Sequence, residues 1–195
     1  MVKATLSALL SLVTFSAGVG CSVAPSLSVA EALSYCEGRE RTVAIDSSFS
    51  AARIEAIQEA VEAWETAAPE VSSFKIETTT SVTEMSPCTY LIVNAIPHHS
   101  SKSQSQIAEA MGITNKSGPG TASGIAYIPE NVSTDGGAVP ATNLEFTSIV
   151  GHEFGHLLGL DHMTVTGRTS IMEPAFAHGM SISAEESNVL KVVWQ

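Results

Sequence analysis

Twelve residues, Gly-His-Glu-Phe-Gly-His-Leu-Leu-Gly-Leu-Asp-His at positions 151–162, constrain the fold more than any other part of the chain. They hold three of the six histidines in 195 residues. On an α-helix, His152 and His156 project from one face, close enough for both imidazoles to hold one metal ion, and Glu153 sits beside His152. His162 cannot join them while the helix continues. Gly159, with no side chain to oppose it, supplies the turn that brings His162 back as a third ligand. The stretch therefore demands a helix that stops at Gly159 and a chain that doubles back on it.

Three neutral imidazoles with an open fourth position are the donor set of catalytic zinc. Zinc lowers the pKa of a bound water to about 7, and a neighbouring carboxylate takes its proton as the water attacks a carbonyl. Glu153 is placed to be that general base, and then to hand the proton to the departing amine as general acid. A helix with merely solvated histidines is the bland alternative. It gives no reason for Gly159 or His162 to stand where they do.

The flanking sequence supplies a framework for this helix. Val43 and Ile45 alternate as a strand does, within a run beginning at Arg41. From Ala51, the residues Ile54, Ile57, Val61, Trp64 and Ala68 form an apolar stripe at helical spacing, closed by Pro69. Phe74 to Thr79 and Thr89 to Ala95 are β-rich, and Gly124 to Pro129 reads as a short edge strand stopped by proline. Residues 97–123 read as a long surface loop with a short helix at Gln106 to Met111. Thr142 and Glu145 form a capping box opening the histidine helix, and Ser183 with Glu186 opens a last helix carrying Val189, Leu190, Val193 and Trp194. Strand, helix, strand, strand implies a sheet with a parallel crossover.

Composition bounds the remaining choices. With 44% hydrophobic and 15% charged residues, the chain suits one domain with a single core. Nine basic residues against 20 acidic ones give a formal charge of -11, which argues against a nucleic-acid partner. Residues 1–20, with Lys3 ahead of an apolar run and small residues, have the layout of a secretory signal. Residues 21–40 read as a tether. Gly-Val-Gly-Cys, ending at Cys21, resembles a bacterial lipobox, although Gly18 replaces the usual leucine. Two outcomes stay open: a lipid on Cys21, which would be the only membrane attachment, or simple cleavage leaving a spare thiol. The other two cysteines, Cys36 and Cys88, are then free to form a disulfide in an oxidising compartment.

The signature from His152 to His162 resembles that of the metzincin metalloproteases at every defined position. Ser170-Ile171-Met172-Glu173-Pro174 resembles the methionine turn of that clan, with Met172 as an apolar floor beneath the metal. Asp161 and Pro174 bring the chain closest to the matrixin branch, and no tyrosine follows Tyr127 to act as the extra zinc-reaching group of other branches. The resemblance runs from about Arg41 to the end. It implies an α+β fold with a five-stranded, mostly parallel sheet and three helices, only four of those strands being visible in the sequence. In the family sheet the first and third strands are neighbours, and Cys36 and Cys88 precede those two at one end.

The same resemblance implies a monomeric zinc endopeptidase with one catalytic ion. Its substrate, a protein or peptide, would lie along Gly124, Ile125 and Ala126, and Pro174, Ala175 and Phe176 would wall the pocket beyond the scissile bond. The alternative is an exported zinc-binding module that recognises a partner without cutting it. Glu130 and Asp135 offer carboxylates for calcium but read as a plain surface turn, and His98 and His99 lack the aspartate partner of a second zinc site.

Overall fold

The computed structural model describes residues 40–70, 73–81, 88–96, 108–112, 123–132, 140–164, 170–173 and 181–193. Strands β1 (Arg41–Asp46), β2 (Phe74–Thr79), β3 (Thr89–Val93), β4 (Glu109–Gly112) and β5 (Gly124–Tyr127) join helices α1 (Ala51–Ala67), α2 (Asn143–Leu157) and α3 (Ala184–Val193). The strands form one sheet in the order β2-β1-β3-β5-β4. β2, β1, β3 and β5 run parallel, while β4 pairs antiparallel with β5. This is the α+β architecture that the resemblance implied.

Burial follows position in the sheet. β3, four of whose five residues are buried, reads as the continuous apolar run expected of a strand covered on both faces. β2 lies at the edge and alternates instead, with Phe74 and Ile76 packed on the core and Lys75 and Glu77 paired in solvent. The main core lies on the face carrying Val43, Ile45, Tyr90, Ile92 and Ala126, where α1 and α2 pack together. α1 presents Ala56, Ile57, Ala60, Val61 and Trp64, a stripe at helical spacing. α2 is buried from Phe146 through Leu157, so it is enclosed on all sides. That enclosure buries His152, Glu153 and His156 with it.

Two expectations need correction. Residues 108–111 are not helical: Ala110 pairs with Ala126 and Met111 with Ile125 across the β4–β5 ladder. Alanine, glutamate and methionine favour a helix, but a non-local ladder with buried Ala108 and Ala110 outweighs that local preference. β5, in turn, is no edge strand. β3 occupies one side of it, with Leu91 opposite Ile125, and β4 the other. Among the described residues, the edge strand on this side of the sheet is β4.

Candidate metal centre

α2 begins and ends as the sequence implied. Thr142 Oγ1 accepts from the Glu145 amide at 3.3 Å, and Glu145 Oε2 accepts from the Thr142 amide at 2.8 Å, a reciprocal capping box. At the far end Gly159 adopts a φ of 94°, the left-handed region that favours glycine. The Leu160 amide then bonds back to the Gly155 carbonyl at 3.0 Å, and the chain reverses toward the helix.

That reversal gathers His152, His156 and His162, with one ring nitrogen from each lying within 4.8 Å of the others. His152 Nδ1 lies 2.6 Å from the Ile171 carbonyl, and His156 Nδ1 lies 2.7 Å from the Leu160 carbonyl. A carbonyl only accepts, so both Nδ1 atoms carry the hydrogen and both Nε2 atoms present lone pairs. The two Nε2 atoms face each other at 3.1 Å. Two nitrogens on a tetrahedral zinc, each about 2.0–2.1 Å from it, would stand about 3.3 Å apart. Nε2 of His162 is buried and has no hydrogen-bond partner among the described residues. These donors fit a zinc ion.

Electrostatics points the same way. Burial, reinforced by the neighbouring His156, pushes the His152 imidazole down to about 3, against the upward pull of its bond to Ile171. Burial, then the nearby His162, lowers His156 to about 4, opposed by its bond to Leu160. His162 is lowered by burial and partly held up by Asp161. All three rings are therefore favoured as neutral ligands. Glu153, fully buried, follows His152 and precedes His156 by three residues, so it shares the helix face of the second ligand.

Met172, fully buried, packs against Gly155 of the histidine helix. A Cβ on Gly155 would overlap its sulfur and stand 3.0 Å from Trp64 Cζ2. Only a glycine lets α2 settle onto this floor. Trp64 also donates from Nε1 to the Gly151 carbonyl at 2.9 Å, tying α1 to the metal helix.

Several residues supporting the site have no local sequence signal. Arg53 donates to the Ala141 and Thr142 carbonyls and to Asn143 Oδ1, and its guanidinium stacks 4.2 Å above the Phe146 ring, so α1 holds the start of α2. The close approach of Gly155 to Met172 and Trp64 is likewise a tertiary contact. A glycine two residues before the end of α2 is a local hint of a close approach; nothing local points to Arg53.

Of the other predicted residues, those among the described ones lie outside the cluster. Gly124, Ile125 and Ala126 have both backbone edges engaged by β3 and β4, which corrects their assignment as the strand-accepting rim. Glu130 accepts from the Ser50 amide at 3.2 Å, and its own amide donates to Asn94 Oδ1 at 2.7 Å. Cys88 is disulfide-bonded. Cys36, Cys21, Asp135, His98, His99, Pro174, Ala175 and Phe176 lie outside the described residues.

A mostly parallel sheet backed by two long helices, with three histidines gathered at a helix end beside a methionine turn, defines a zinc metallopeptidase-like domain of the metzincin type. The chain belongs to the matrixin family, whose sequence profile matches residues 34–192. No curated protein sequence matches it.

Proposed function

We propose that this protein is an exported zinc endopeptidase that cuts extended peptide segments, with one ion held by His152, His156 and His162. The observation that carries the reading is the meeting of three imidazoles, two of them on the buried helix that also carries Glu153 and the third, His162, returned to them by the turn at Gly159. Zinc in that position supplies Lewis acidity toward a substrate carbonyl. The Glu153 carboxylate accepts a proton from the attacking water as the new carbon–oxygen bond forms. It returns that proton to the amide nitrogen as the carbon–nitrogen bond breaks. Burial of Glu153 keeps its oxygens from bulk water, so the proton it holds goes to the leaving amine.

Substrate binding is assigned to the outer rim of β4. β4 borders the sheet, and α2 packs against it, so an extended peptide added there as another strand would lie beside the histidines. Pro174, Ala175 and Phe176 are proposed as a pocket wall on family resemblance, and one catalytic zinc ion is proposed. Export and lipid attachment at Cys21 rest on the N-terminal sequence, and the pairing of Cys88 with Cys36 on the cysteine inventory and the family sheet.

Glu153→Ala tests the reading. Zinc content should stay at one ion per chain while cleavage of casein or gelatin falls about 10²–10⁴-fold, the usual contribution of a positioned acid–base group. Undiminished turnover in the variant would refute the assignment. A wild-type protein that takes up zinc but cuts neither substrate would hand the site to the partner-binding alternative.

A further inference from the structure

Glu186, on the first turn of α3, is fully buried although it is a carboxylate. Its Oε2 accepts from the Ser183 amide at 2.6 Å, completing a capping box in which the Glu186 amide donates to Ser183 Oγ at 3.1 Å. Capping needs no more than that. Yet Oε1 reaches away from α3 and accepts from the Met172 amide at 2.8 Å and from the Ser170 hydroxyl.

Residues 170–173 form a turn outside any helix or strand, closed by the Glu173 amide on the Ser170 carbonyl at 3.2 Å, and the Glu186 carboxylate adds side-chain bonds to that backbone frame. Two hydrogen bonds run from it into the ligand set. The Ile171 carbonyl accepts from His152 Nδ1, and the Met172 carbonyl accepts at 2.8 Å from the amide of Met163, the residue after His162. The carboxylate thus grips the turn at the residues on either side of Ile171, and the turn in its turn orients one ligand and anchors the chain carrying another.

We propose that Glu186 is a positioning residue for the metal centre, setting zinc affinity through the Ser170–Met172 turn while also capping α3. The inference rests on the zinc reading of the histidine cluster and extends it to a residue 24 positions beyond the last ligand. Outer groups that orient metal ligands commonly contribute 10–100-fold in affinity. Glutamine at this position keeps the size but has one acceptor oxygen. Whichever way it turns, its NH₂ faces a backbone N–H, that of Met172 or that of Ser183.

The test is zinc affinity by competition with a chromophoric chelator, together with the visible spectrum of the cobalt(II) form, normalised to folded protein. Glu186→Gln should bind zinc about 10–100-fold more weakly than wild type and shift the cobalt bands. Ser187→Ala serves as the control, since it removes only the Ser187 Oγ to Ala67 carbonyl bond between α3 and α1, 2.6 Å long. It should keep wild-type affinity and spectrum. Equal affinity in Glu186→Gln and wild type, or an equal loss in Ser187→Ala, overturns the proposal. If Glu186→Gln does not fold, Ser170→Ala decides: weaker zinc binding supports the proposal and unchanged binding overturns it. A wild-type protein that takes up no zinc overturns this proposal and the zinc function together, whereas normal zinc uptake by wild type with no loss of affinity in Glu186→Gln overturns this one alone.

Discussion

α2 and α3 open with the same four-residue device and use it for different ends. At α2, Glu145 caps Thr142 near the surface, reaching its amide at 2.8 Å and its hydroxyl at 2.9 Å. At α3, Glu186 performs the same local service for Ser183 but is wholly enclosed and reaches back to Ser170 and Met172. One box ends a helix cleanly; the other joins a helix to a distant turn. The difference is burial. An enclosed carboxylate must satisfy its remaining lone pairs with protein donors, and the donors available here belong to the methionine turn.

Acid should separate the two regions most strongly. His152 and His156 are held at about 3 and about 4 in the folded chain, against an ordinary value of 6.5. The unfolded chain therefore binds protons first, and the metal-free protein loses stability as pH falls from about 6.5 toward about 3. Hydrogen exchange on that form should show the turn and the C-terminal half of α2 opening before its capped N-terminus; simultaneous opening would erase the contrast. Next in size is Glu186→Ala, which strips the Ser183 amide of its acceptor and leaves the Ser170 hydroxyl and the Met172 amide only their longer bonds, 3.4 Å to the Met163 carbonyl and 3.2 Å to Ser170 Oγ, a loss of about 2–3 kcal/mol in urea unfolding. A loss near 1 kcal/mol would make it an ordinary cap. The smallest effect belongs to Thr142→Ala, about 1 kcal/mol by the same measurement, with zinc affinity at the wild-type value. Weakened zinc binding there would show that the outer box also reaches the centre.

What could be read from the sequence divides along the same line. His152, His156, the bend at Gly159, both capping boxes and the stripe of α1 depend on neighbours a few residues away, so spacing and residue type reveal them. The placement of β4 depended on a partner strand more than ten residues on, and its helix-favouring residues concealed it. β5 resembled an edge strand because Pro129 follows it, but proline comes after the ladder has ended and leaves both sides of Gly124–Tyr127 free to pair. Arg53, Gly155 and Glu186 could be recognised only from what they touch across the fold: the carbonyls before α2, the Met172 sulfur and the methionine turn. The metal ligands were legible and their scaffolding was not, because ligand spacing is local and support is tertiary.

The sulfur of Met172, packed under Gly155 without access to solvent, also records the history of the site. An oxidant can reach it only in molecules that have come apart locally, and the sulfoxide formed would be too bulky and too polar to return to its seat. The rate at which peroxide modifies this methionine would therefore serve as a clock for how often the floor of the centre is breached.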